Sequence, residues 1–115
     1  MPIVTVLLTS YNHGDYIRGS IESILNQTFK DFEVIIVDDN GKNTHNQILT
    51  EKVIESYKTK LSLQYIVHEK NRNGAAARNS GFKKARGKFI CFLDDDDIYL
   101  RNRIENAITS IEKYR

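Results

Sequence analysis

The feature that most constrains this chain is a regular alternation, in which short β-branched apolar runs take turns with longer segments of helical periodicity. Ile3 to Thr9 opens the chain as a buried strand. Ile17, Ile21, Ile24, Leu25 and Thr28 follow at spacings of four, three, one and three, one stripe of an amphipathic helix. Phe32 to Val37 reads as a second strand, and Val53, Ile54 and Tyr57 mark a second, more polar helix. Leu63, Tyr65 and Val67 alternate with polar Gln64 and His68, as a half-exposed edge strand does. Gly74 to Ala85 is expected to form a third helix and Phe89 to Leu93 a fourth strand. Leu100, Ile104, Ala107, Ile108 and Ile111 are the stripe of a fourth helix.

This order specifies the α/β class: a parallel sheet of about four strands, helices on both faces and right-handed crossovers. Strands one, two and four are continuously apolar, as strands buried on both faces are, whereas strand three reads as an edge. The order 3-2-1-4 satisfies that pattern and is half of a Rossmann-like doubly wound sheet. With 115 residues, 40% of them hydrophobic, one domain over residues 1–115 is expected, with no repeat or linker inside it. Strand four would then be an apolar edge. Such an edge templates pairing, so a homo-oligomer through strand four, or a longer chain that covers it, is expected.

Charge and cysteine exclude less. Lys plus Arg number 17 against 15 Asp plus Glu, a balance too mild for a nucleic-acid partner. The longest apolar run, Phe89 to Leu93, is far short of the ~18 residues of a transmembrane segment, and no signal peptide is visible. The single Cys91 reads as a buried thiol with no intrachain disulfide, which suits a reducing cytoplasm.

In sheets of this kind ligands bind outside the carboxyl ends of the strands. Here those ends are Thr9-Ser10-Tyr11-Asn12, Asp38-Asp39-Asn40 and Asp94-Asp95-Asp96-Asp97. Two like charges ~4 Å apart repel by about 1 kcal/mol in water and about 4 at an effective dielectric of 20, so four clustered aspartates call for a positive partner. Asp97 could cap a helix starting near Leu100, but capping needs only one carboxylate. The cluster suits a hard divalent cation, Mg²⁺ or Mn²⁺, shared with a phosphate. An acidic residue ending strand two commonly binds a ribose hydroxyl, the role open to Asp38-Asp39. The first loop, Ser10-Tyr11-Asn12-His13-Gly14, lacks the Gly-x-Gly-x-x-Gly cradle, and no P-loop run exists. A nucleotide held without either cradle needs a metal on its diphosphate. Tyr11 either stacks on a base or closes the loop. His13, His45 and His68 show no metal-ligand spacing, and no Ser–His–Asp or Cys–His arrangement is legible.

Arg78 shares a helix face with Gly74, Gly81, Phe82 and Ala85, expected to be the packed face. A buried Arg must be paired, either with a strand-end aspartate or with a ligand phosphate. Lys83, Lys84 and Arg86 point elsewhere and read as solvated surface.

Five ordered motifs now stand out: Thr9-Ser10-Tyr11-Asn12; the helix Ile21-Glu22-Ser23-Ile24-Leu25-Asn26-Gln27-Thr28; Val37-Asp38-Asp39; Gly74-Ala75-Ala76-Ala77-Arg78-Asn79; and Phe92-Leu93-Asp94-Asp95-Asp96-Asp97. In them the sequence resembles the N-terminal half of family 2 glycosyltransferases of the GT-A fold, over nearly the whole chain. The resemblance implies a site for a nucleotide-diphosphate sugar donor. Thr9 and Tyr11 would line the base pocket, and Asp39 would accept a hydrogen bond from the base. Asp94-Asp95-Asp96 would be the DXD motif, with Asp95 approaching the ribose or sugar and Asp96 holding Mn²⁺ or Mg²⁺. Arg78 would brace that motif.

The resemblance further implies inverting transfer to an unknown saccharide or lipid-linked acceptor in polysaccharide biosynthesis, in the cytoplasm or at the inner membrane surface. The acceptor half and its general base would lie beyond Arg115, so no catalytic residue is named. Two positions depart from the family's pattern: Asn40-Gly41-Lys42-Asn43 where Gly-Ser-Thr-Asp is common, and Arg101 where Pro is frequent. Two other readings of the same residues are a non-catalytic metal-dependent nucleotide-binding module and a receiver-type phosphoryl-transfer domain. The last needs a Lys or Thr on later strand ends, and no fifth strand is present.

Overall fold

A computed structural model describes residues 2–12, 14 and 16–113. The eight elements follow the expected alternation: β1 (Val4–Ser10), α1 (Ile17–Leu25), β2 (Phe32–Asp38), α2 (His45–Glu55), β3 (Leu63–Val67), α3 (Gly74–Lys84), β4 (Phe89–Asp94) and α4 (Arg103–Lys113). Every strand pair is parallel and the order is β3-β2-β1-β4, as the apolar pattern required.

The pleat of β1 explains the layering. Val4, Val6 and Leu8 point to one face and pack with Ile17, Ile21 and Ile24 of α1, Ile54 of α2 and Ile104 of α4. Leu7 points to the other face, where it meets Ile35, Val37 and Ala77 of α3. Each isoleucine of the α1 stripe is fully buried, worth roughly 1.5–3 kcal/mol apiece. α1 and α2 lie on one face because their crossovers run the same way along the sheet. α3 lies on the other because the crossover from β3 to β4 reverses direction, and that reversal opens a switch point between β1 and β4.

Two glycines set how closely α3 and its exit approach β1. A Cβ on Gly81 would fall 2.0 Å from Cδ1 of Leu7, and one on Gly87 would fall 2.4 Å from the backbone nitrogen of Thr5. Below them Glu33, 4% exposed, accepts bonds from Thr5 Oγ1 (2.6 Å) and from the backbone nitrogen of Arg86 (2.6 Å).

Several expectations are corrected. β4 is not buried on both faces: it is a sheet edge, only Leu93 is fully inside, and Phe92 is 53% exposed. Cys91 on the same strand is therefore half-buried rather than buried, and the burial it has pushes its thiol upward. The fourth helix begins at Arg103 rather than at Leu100, which is exposed, because residues before it are strapped to α1. Arg86 is not simply solvated, since its Nε lies 3.1 Å from Glu33 Oε1. The expectation for His13 lies outside the described residues.

Candidate functional site

Parallel register brings the four strand ends to one level. Ser10 stands beside Asp38, Asp38 beside Val67, and Thr9 beside Asp94. The ladders run one step further, with Asp39 N donating to Ser10 O, His68 N to Asp38 O and Asp95 N to Thr9 O. Above this rim is a cleft of about 480 Å³. Thr9, Tyr11, Asp39, Arg78, Asp94, Asp95 and Asp96 line it together, whereas Asp38 and Asp97 do not.

The acidic run forms a turn closed by Asp97 N donating to Asp94 O (3.0 Å). The turn sorts its carboxylates. Asp94, Asp96 and Asp97 are exposed, and each offers an oxygen within 4.8 Å of the others. That donor set, three hard carboxylate oxygens within reach of one ion, fits a divalent cation such as Mg²⁺ or Mn²⁺. Asp95 turns inward instead, is 4% exposed, and accepts from Tyr11 N at 2.9 Å. Asp97 is not the cap of α4, which starts six residues later; its carboxylate belongs to the cluster.

The turn is held from below by α1. Ser20 Oγ lies 2.9 Å from Asp95 O and 2.5 Å from Asp97 O, and Ser23 Oγ accepts from Tyr99 N at 3.1 Å. Gln27 uses both ends of its amide, donating to Leu100 O (2.7 Å) and accepting from Ile104 N (3.0 Å). Ser20 and Ser23 on α1 and Gln27 just past its end, all buried, thus fix the acidic loop on the core.

The two aspartates ending β2 face opposite ways. Asp38, fully buried, accepts from Tyr65 Oη (2.5 Å) and from both nitrogens of Asn40 (3.0 and 2.7 Å). Burial holds its carboxyl above the usual range despite those bonds, and Tyr65 is pushed up by its own burial and by Asp38. Asp39 faces the cleft yet is only 2% exposed. Its oxygens already take four bonds, from His68 Nδ1 (2.7 Å), Arg72 N (2.9 Å), Asn71 Nδ2 (2.9 Å) and Asn73 N (3.0 Å). A base bonding to Asp39 would have to share one of those positions.

Arg78 is not on the packed face. The buried face of α3 is Ala77 and Gly81, while Arg78 and Phe82 are exposed. Ala77 and Gly81 take the seat on the sheet, Arg78 lies at the flank of that strip, and its guanidinium stands over Gly74 beside the acidic turn. It makes no ion pair among the described residues. Tyr11, 47% exposed, sits at the mouth of the cleft.

Sequence reasoning missed Asn71, Asn73 and His68. Asn71 and Asn73 line the cleft, and Asn73 caps α3 by accepting from Ala76 N at 3.0 Å. The readable signal was an Asn directly before the Gly that opens a helix. His68, placed on a half-exposed edge, is in fact 6% exposed, between Asp39 and Ser80.

The family model for glycosyl transferase family 2 matches residues 5–115. The chain is 41% identical over 116 residues to an uncharacterized glycosyltransferase of Methanocaldococcus jannaschii, covering 99% of this chain and 39% of that protein. Among solved structures it resembles TarS 1-349 of S. aureus in complex with UDP-GlcNAc, with a TM-score of 0.83 and 32% identity, covering 96% of this chain and 31% of that one. It also resembles the mannosyltransferase PcManGT of Pyrobaculum calidifontis in complex with GDP-Man and Mn²⁺, with a TM-score of 0.81, 25% identity, and coverage of 93% and 31%. The chain thus spans less than half the length of each of these proteins.

Proposed function

The chain belongs to glycosyl transferase family 2, and from that premise we propose that its cleft holds the nucleotide diphosphate of an activated sugar whose glycosyl group is transferred with inversion to a saccharide or lipid-linked acceptor. The observation that carries this reading is the convergence of Thr9, Tyr11, Asp39, Arg78, Asp94, Asp95 and Asp96 on one cleft at the strand ends. Two structural relatives of the same fold were solved with UDP-GlcNAc and with GDP-Man plus Mn²⁺, which supports a nucleotide-sugar donor here.

Each residue then has a task set by its position. Thr9, Tyr11 and the Asp39 side of the cleft receive the base, with Tyr11 free at the mouth to lie against its ring. Asp95 would approach the ribose or sugar, and it accepts a bond from the Tyr11 backbone nitrogen. Asp96, with Asp94 and Asp97, holds the cation. When bound, that cation neutralises the diphosphate and acts as a Lewis acid on the departing nucleoside diphosphate. Arg78, without an ion pair among the described residues, would present its guanidinium to phosphate oxygens, which its planar fork can bond in pairs.

Calorimetric titration of the chain with UDP and GDP, with and without Mn²⁺, tests this reading. Binding that requires the cation is expected. Failure of every nucleotide to bind under both conditions sinks it.

A further inference from the structure

His68 closes a hydrogen-bonded chain that the proposed chemistry does not use. It is 6% exposed, and both ring nitrogens are engaged, Nδ1 with Asp39 Oδ1 and Nε2 with Ser80 Oγ, each at 2.7 Å. A carboxylate that already accepts from Arg72 N, Asn73 N and Asn71 Nδ2 can only accept again, so Nδ1 carries the hydrogen. Nε2 bonds to the hydroxyl of Ser80, which can accept from it or donate to it. Despite its composition this is not a nucleophilic triad, because the serine is the end committed to α3 and is absent from the cleft lining.

What the chain of bonds supports is a strained turn. Asn73 has φ 89° and ψ 168°, a region otherwise populated almost only by glycine. Its backbone nitrogen is tied to Asp39 and its side chain caps α3. Asn71, Asn73 and Gly74 form the wall of the cleft that faces the acidic turn. A non-glycine residue stays in such a conformation only where its surroundings over-determine it. Asp39 bonds to the backbone of both Arg72 and Asn73, and His68 holds one oxygen of that carboxylate from the end of β3.

We propose that His68 is a positioning residue for the donor cleft: it orients Asp39 through Nδ1, anchors to α3 through Ser80, and so keeps the 71–73 wall in its strained, ligand-ready form. The inference rests on the donor-site reading above.

The test compares three variants of the full chain. In His68→Asn the amide nitrogen falls where Nδ1 was and still donates to Asp39. In His68→Gln it falls where Nε2 was and reaches only Ser80. His68→Leu fills the volume and bonds to neither. Amide hydrogen exchange at Arg72 and Asn73 is followed against Val6 and Ile36 in the sheet. About tenfold faster exchange at 72 and 73 is expected for Leu and Gln, the size of one lost bond to a charged group, with wild-type rates for Asn. UDP and GDP affinity in Mn²⁺ should fall in the same order. Unchanged exchange at 72 and 73 in His68→Leu overturns the inference, as does unchanged affinity against a wild type that binds. A wild type that binds no nucleotide instead overturns the donor-site reading and with it the donor role of His68, while the exchange data still decide whether His68 holds the turn. Equal acceleration at Val6 and Ile36 would reduce His68 to a general packing residue and likewise overturn it.

Discussion

Thr9 Oγ1 lies 3.3 Å from Oδ1 of Asp94, so a hydroxyl on the central strand touches a carboxylate on the edge strand across 85 residues of sequence. The contact turns one oxygen of Asp94 toward β1, where Asp94 and Thr9 stand side by side in register. Thr9→Val keeps the shape and removes the hydroxyl. Mn²⁺-dependent binding of UDP or GDP should weaken about three- to tenfold, the value of a single hydrogen bond, while thermal unfolding stays close to wild type. Calorimetry and a melting curve check the two halves, and full retention of affinity would free Asp94 from this dependence.

Asp96 is exposed, so Asp96→Asn should fold normally. Replacing one charged oxygen of a three-carboxylate set should cost at least about tenfold in Mn²⁺-dependent nucleotide binding. Nucleotide titration at fixed Mn²⁺ measures it, and wild-type affinity would remove Asp96 from the cation site.

Arg78→Ala removes an exposed cation without an ion-pair partner among the described residues, so the unfolding free energy should move by less than about 0.5 kcal/mol. The same variant should bind nucleoside diphosphates about tenfold more weakly and nucleosides unchanged, because only the phosphates would meet the guanidinium. A parallel loss for nucleosides would place Arg78 elsewhere in the cleft.

Gly87→Ala should be among the most damaging substitutions of a small residue here. The new methyl would meet the Thr5 backbone, which pairs in the sheet and has nowhere to go. A loss of about 2 kcal/mol or more is expected by urea denaturation. A neutral result would mean that the turn after α3 can lift off β1.

Glu33 gives a pH signature. Burial alone would raise its carboxyl, but bonds from Thr5 and Arg86 outweigh it and hold the folded value below 4.5. The unfolded state therefore binds the extra proton first, and the stability Glu33 contributes is present above about 4.5 and lost as pH falls through the folded value. Asp38, held above 3.8 chiefly by burial, works in the opposite sense and favours the folded state as it protonates. The stability gap between wild type and Glu33→Gln should accordingly shrink below pH 4.5, measured by urea unfolding from pH 3 to 7. A gap constant across that range would contradict the assignment.

The fold was legible because burial leaves a mark on composition. β1 and β2 read as continuous apolar runs since both their faces are covered, and the α1 stripe repeats at helical spacing since one side alone is. β4 misled in part: Phe89 to Leu93 is apolar throughout, yet Phe92 is exposed because the strand is an edge. Candidate site residues were found where chemistry is unusual in sequence, as four adjacent aspartates are. Polar groups whose meaning is a distant partner stayed hidden. Nothing near His68 announces Asp39 or Ser80, and nothing in Ser20, Ser23 and Gln27 announces a loop more than 70 residues away. Arg78 was misplaced because the buried strip of α3 is narrow: it centres on Ala77 and Gly81, and Arg78 at its flank is already exposed.

The all-parallel order has a kinetic consequence. No strand pairs with a neighbour through a tight turn: β1 meets β2 across 28 residues and β4 across 85. Such long closures slow folding, because chain entropy is lost before contact energy is gained. Among the four described strands β4 joins across the longest separation, and it carries Asp94 at its end with Asp95 and Asp96 directly after. The rim formed by Thr9 and the acidic turn therefore forms only once that longest closure is made.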